Sequence, residues 1–141
     1  MNRELSRFVR ERADHRCEYC CLPESFFPLH FQIDHVRAEK HGGETVENNL
    51  ALACTHCNRH KGPNIAGFDA ETGQTTRLFN PRSDIWEEHF AVDGPRVVGM
   101  TAIGRATVNV LEMNKADRLL VRTALLREEE GVGEQRDRKF P

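Results

Sequence analysis

Leu5, Phe8, Val9 and Ala13 recur at helical spacing among charged residues, a pattern that predicts an amphipathic helix from Glu4 to about Arg16. Pro23 and Pro28 bound a loop after it. From Leu29 to Val36 the apolar positions Leu29, Phe31 and Ile33 alternate with other residues, so a strand is expected there, ended by the Gly42-Gly43 break. A second short strand is expected from Asn49 to Ala53. A helix should begin near Cys54 or Thr55 and run past Lys61 until Gly62-Pro63 stops it. The resulting order is strand, loop, strand, helix, a ββα arrangement.

Beyond Gly62 the pattern is weaker. Thr75 to Phe79 reads as a strand, Asp84 to Phe90 as a short helix, and Arg96 to Ile103 as a strand after the turn-prone Asp93-Gly94-Pro95. Asn114 is a candidate N-cap, with Asp117 in the first turn of a helix carrying Leu119, Leu120, Val121, Leu125 and Leu126. The charged, glycine-containing residues from about Glu128 onward are expected to be disordered. At 141 residues the chain is most simply one domain, 1–141, with a core at about 17–63, an extension at about 64–128 and a tail at 129–141.

Composition narrows the classes. No apolar run approaches the roughly 20 residues that cross a bilayer, and the N-terminal residues lack the apolar stretch of a signal peptide, so a cytoplasmic protein without membrane contact is expected. A net charge of -2 and a pI near 6.4 do not suit a protein that coats nucleic acid indiscriminately; any such affinity must come from local clusters and be salt-sensitive. In a reducing compartment five cysteines argue against a disulfide framework. Four of them form two Cys-x-x-Cys pairs, Cys17/Cys20 and Cys54/Cys57, some thirty residues apart. Two thiolates spaced by two residues on a tight turn can face one ion, and two such knuckles complete a tetrahedral sulfur shell for a structural Zn2+. Cys21 is left over and reads as a small buried hydrophobe.

Between the knuckles lies Asp34-His35 at the end of the first strand, then Asn49-Leu50, then Cys54-Thr55-His56-Cys57-Asn58-Arg59-His60-Lys61. In this order the stretch from about Cys17 to Lys61 resembles the HNH endonuclease family, whose ββα-metal motif cuts nucleic acid phosphodiesters with one divalent cation. The resemblance implies an α+β fold: a treble-clef-like HNH ββα-metal nuclease core with structural zinc, an N-terminal helix, and a mixed, mainly helical C-terminal extension. It also implies products with 5'-phosphate and 3'-hydroxyl ends.

The reaction sets the roles. A phosphodiester's own charge repels nucleophiles, so hydrolysis needs an activated water, a counter-charge for the pentavalent centre and help for the leaving oxygen. His35 suits the general base, since neutral imidazole takes a proton near physiological pH. Asp34 and Asn58 suit a sparse oxygen site for catalytic Mg2+ or Mn2+. In the family's pattern the middle asparagine ties the loop between the strands; Asn49 matches that place, although Asn48 directly before it leaves the register open. Asn58 stands where the last letter of the family name would be histidine. His60, two positions on and about 200° around a helix, is kept in reserve as a ligand. Arg37, Arg59 and Lys61 are candidate nucleic-acid contacts, with solvated surface charge as the alternative. His15, His30, His41 and His89 carry no spacing argument. The expected partner is nucleic acid, DNA foremost, with the oligomeric state open. The competing reading is a zinc-stabilised nucleic-acid- or protein-binding module without catalytic activity.

Overall fold

A computed structural model describes residues 1–131 of the chain. Helix α1, Arg3–Arg12, begins at Asn2, whose side-chain oxygen accepts the Leu5 amide proton (2.8 Å), and buries Val9. It stops short of the expected Arg16 because Asp14 and His15 both take the left-handed conformation (φ 53° and 54°), which turns the chain back toward the first cysteines.

Strands β1, Gln32–His35, and β2, Leu50–Ala53, pair antiparallel with Asp34 opposite Ala51 and His35 opposite Leu50. The expected first strand is shortened at its start, leaving Leu29 exposed on the preceding loop. All four residues of β2 are buried, so it is the strand around which the N-terminal half condenses. Helix α2, Thr55–Lys61, follows directly. Asn49, expected at the start of the second strand, instead closes a single 3-10 turn, Glu47–Asn49.

The C-terminal half adds two more antiparallel hairpins, β3 (Ala66–Asp69) with β4 (Gln74–Arg77), and β5 (Phe90–Asp93) with β6 (Arg96–Gly99). Helix α3, Trp86–His89, precedes β5. Helix α4, Ala102–Val110, crosses both hairpins, and α5 runs over Ala116–Gly131. Close approach is built in at Gly104, where a Cβ would sit 2.0 Å from the His89 carbonyl oxygen. The fold is therefore α+β, with small two-stranded sheets and five α-helices among the described residues. One hydrophobic cluster spans both halves, from Val9 and Tyr19 through Leu52 and Phe79 to Leu111 and Leu125.

Three expectations for this half are corrected. The strand expected over Arg96 to Ile103 ends at Gly99, and α4 starts three residues later, where the Thr101 hydroxyl accepts the Gly104 amide proton (3.0 Å). Ile103, Ala106, Thr107 and Val110 do carry helical spacing, but the β-branched residues disguise it. Asn114 does not cap α5: its amide accepts from the Val97 N–H and donates to the Val97 carbonyl (2.8 Å each), stitching β6 to the turn before the helix. The tail expected to be disordered from 129 is helical through Gly131, and its remainder lies outside the described residues.

The β3–β4 hairpin is fastened to α4 by charge. Asp69, buried, accepts two bonds from Arg105 (2.9 and 3.1 Å) and one from the Thr72 hydroxyl (2.7 Å), and Arg105 foremost holds its carboxyl well below the usual range. A carboxyl depressed in the fold contributes stability that is fully present above its unfolded value, about 3.9, and is lost as pH falls through the lower native value. Arg105→Met should therefore lower stability at neutral pH and flatten the loss below about pH 4, measured by urea denaturation across a pH series. An acid limb as steep as wild type would show that the pair does not govern it.

Candidate active site and zinc centre

The four knuckle sulfurs lie within 4.8 Å of one another and all four residues are buried. Cys20 and Cys54 Sγ are 3.8 Å apart, the separation of about 3.8 Å that a tetrahedral shell with Zn–S near 2.3 Å produces. Each knuckle is shaped by its own backbone: the Cys20 amide points at Cys17 Sγ (3.4 Å), and the Cys57 amide at Cys54 Sγ (3.3 Å). Hydrogen bonds from Cys17, Cys54 and Cys57 hold the Cys20 thiol well below the ordinary range, whereas burial pushes Cys17 up. The donor set therefore fits a structural zinc. Cys54 is also the N-cap of α2, so the ion would fix where that helix starts. Cys21 lies outside the cluster, half-buried, at a left-handed φ of 69°, with its carbonyl accepting from Arg16 (2.7 Å).

Helix α2 presents three faces. Cys57 points to the sulfur cluster, Asn58 and Lys61 to β1, and His56 and His60 to the C-terminal half. On the β1 face, Asp34 is buried and its Oδ2 accepts from the Tyr19 hydroxyl (2.7 Å) and the Lys61 ammonium (3.1 Å). Its Oδ1 also accepts from Lys61 (3.3 Å), so both oxygens of the carboxylate meet the ammonium. Burial raises the Asp34 carboxyl, against which Lys61 and Tyr19 act. Burial first, then the Asp34 charge, push the Tyr19 phenol well up, so the phenol remains the donor. Asn58 donates its amide to Gln32 Oε1 (3.0 Å), which leaves its carbonyl oxygen as the atom suited to a cation.

Lys61 corrects one sequence expectation. It is 1% exposed, and its ammonium also donates to the His35 carbonyl (3.0 Å), so it is an internal counter-charge and not a surface contact for nucleic acid. His60 corrects another. The helix turns it away from Asp34, and its Nδ1 lies 3.0 Å from Glu112 Oε2 in the turn before α5. His56 lies against it with the rings tilted by 43° and meets the Leu111 and Glu112 carbonyls (3.0 Å each). Arg37 and Arg59 are exposed, as expected of residues that could meet a phosphate.

His35 stands at the end of β1 with Nε2 2.8 Å from Thr45 Oγ1. The loop between the strands is pinned by Asn49: its Oδ1 accepts the Arg37 amide proton (2.9 Å), and its Nδ2 donates to the Arg37 and Glu44 carbonyls (3.0 and 2.9 Å). Its backbone carbonyl accepts from Val36 (2.8 Å). These bonds are made by Asn49 and not by Asn48. Tyr19 and Thr45 touch the site's groups and escape sequence reasoning, because neither sits in a periodic pattern and only folding brings them to Asp34 and His35.

Two outcomes follow from this geometry. The purified protein should carry about one zinc per chain by elemental analysis; Cys54→Ser should lose it and unfold, while Cys21→Ser should keep it. A folded, monodisperse sample without zinc would remove the metal centre. Lys61→Met should cost about 3–5 kcal/mol in urea denaturation, because it strands the buried Asp34 charge, and adding Asp34→Leu should recover part of that loss. A loss below about 1 kcal/mol would place Lys61 in solvent.

Comparison with known proteins bears on the same residues. No curated protein and no solved structure matches the chain. Residues 17–64, about a third of the chain, match the family model described as HNH endonuclease. That span begins at the first knuckle cysteine and ends just beyond α2, so it takes in both knuckles, the β1–β2 hairpin and the helix packed on it. The likeness to HNH endonucleases is thus carried by residues 17–64, the segment that holds the four clustered cysteines.

Proposed function

We propose that the protein is a metal-dependent endonuclease that hydrolyses phosphodiester bonds of nucleic acid, DNA foremost, with His35 as general base and one Mg2+ or Mn2+ held by Asp34 and Asn58. The observation that carries this reading is that one hairpin and the helix packed on it carry all three groups, with Asp34 and His35 at the end of β1 and Asn58 bonded to Gln32 at its start. His35 is anchored by a loop that Asn49 clamps, Asp34 precedes it in β1, and Asn58 lies on the α2 face that packs against β1.

In this reading His35 takes the proton of the attacking water, which needs a neutral ring held still at the start of the step. Asp34 Oδ1 and the Asn58 carbonyl are hard oxygen donors, the type that Mg2+ and Mn2+ prefer over the thiolates of the zinc centre. When bound there, the cation supplies counter-charge for the pentavalent phosphorus and the departing oxygen. Tyr19 and Lys61 orient Asp34 from behind. Arg37 and Arg59 are exposed to meet backbone phosphates, and with a net charge of -2 the affinity should be modest and salt-sensitive.

One observation favours a second reading, a zinc-stabilised binding module without catalysis: both Asp34 oxygens already have partners inside the protein, Oδ2 in Tyr19 and Lys61 and Oδ1 in Lys61. A nicking assay on supercoiled plasmid separates the two. Wild type should nick with Mg2+ or Mn2+, stop on brief EDTA treatment that leaves zinc bound, and resume when the cation returns. His35→Ala should lose about 10²-fold or more in rate with unchanged zinc content and melting. A metal-restored protein that binds plasmid but never nicks it would decide for the binding module.

A further inference from the structure

An imidazole that serves as a base must offer one nitrogen that is both unprotonated and open to water. In His35 the choice between the two nitrogens is made by a neighbour outside the HNH letters. Nε2 lies 2.8 Å from Thr45 Oγ1, within hydrogen-bond range, so water can reach the ring's lone pair only at Nδ1. For Nδ1 to hold a lone pair in the neutral ring, the proton must sit on Nε2, where Thr45 Oγ1 accepts it.

Thr45 is brought there by an arrangement that spans the whole loop. Gly43 passes so close to Arg37 that a Cβ would stand 1.7 Å from its carbonyl oxygen, and only glycine allows that approach. Asn49 Nδ2 then holds the Glu44 carbonyl (2.9 Å), fixing the peptide that leads into Thr45. We propose that Thr45 is a positioning residue for the general base, its hydroxyl accepting the Nε2 proton of His35 and so presenting Nδ1 to the attacking water. Asn49 then acts on the base through Thr45, by setting the loop that carries it. When Nδ1 takes the proton, the ring becomes cationic, and the Nε2–H to Oγ1 bond becomes charge-assisted and shorter. The hydroxyl therefore holds the product of the proton transfer more tightly than its reactant, the sense that favours the step. This inference rests on the reading of His35 as the base.

The test has a spectroscopic arm and a kinetic arm, both on the full chain. Imidazole 15N resonances of the neutral ring, recorded at alkaline pH, should show His35 protonated at Nε2 in wild type. Thr45→Val, which keeps the shape and removes the acceptor, should let the Nδ1-protonated form appear, and Thr45→Ser should restore wild type. On supercoiled plasmid with Mn2+, Thr45→Val should lower kcat about 10- to 100-fold, the range seen when the orienting partner of a functional histidine is removed, with KM little changed. Thr45→Ser should recover most of the rate, which a merely structural effect on the loop would not require. A wild-type ring protonated at Nδ1 would overturn the proposal, as would an undiminished kcat in Thr45→Val while His35→Ala is inactive. If His35→Ala itself still cleaves, the assignment of the base falls, and the role of Thr45 falls with it.

Discussion

Everything near the candidate site depends on the closing of one loop. Cys20 and Cys54 are 34 positions apart in the chain, yet their sulfurs lie 3.8 Å from each other. Between them run the two strands and the Asn49-clamped loop, and α2 starts directly after Cys54. A hairpin of two four-residue strands is marginal in water by itself. Holding its flanks at a metal-binding cluster removes most of the entropy that such a loop would otherwise keep, and a structural zinc adds binding free energy to folding. The buried Leu50-Ala51-Leu52-Ala53 run contributes the apolar part of the same closure.

Once the loop is closed, the polar interior behind β1 follows. Asp34 lies opposite Ala51 on the buried side of the hairpin, where a bare carboxylate would be expensive. Tyr19, carried between two cysteines of the first knuckle, and Lys61, carried at the end of α2, meet it from two directions. Each donor comes from one of the segments that the sulfur cluster draws together. The carboxylate can stay in the interior only because the cysteines bring its partners to it.

The ββα core was legible from the chain because it is written in local signals: alternation before Asp34-His35, Cys-x-x-Cys spacing, and the Gly62-Pro63 stop. The N-terminal half departs from expectation mainly where left-handed residues, Asp14 and His15, end a helix whose apolar spacing continues. The β3 and β5 strands and α4 were not legible. Their residues are short, mixed or β-branched, and pairings such as Asp69 with Arg105 and Asn114 with Val97 have no signature along the sequence. The site shows the same division. His35 and Asn49 stand out by type and spacing. The burial of Lys61 and the approach of Thr45 are properties of the folded surface, and a lysine next to a glycine-proline stop reads as exposed until its partner is seen.

Helix α2 is seven residues long and is gripped by three neighbours. Its cysteine belongs to the sulfur cluster, its asparagine and lysine to β1, and its two histidines to the turn that carries Leu111 and Glu112. A lever this short cannot tilt without disturbing all three neighbours at once. The C-terminal half is thus mechanically in series with the β1–β2 hairpin. A repacking substitution around Met113 would therefore be felt at Asn58 and Lys61, because the histidines that meet the Leu111–Glu112 turn sit on the same two turns of helix.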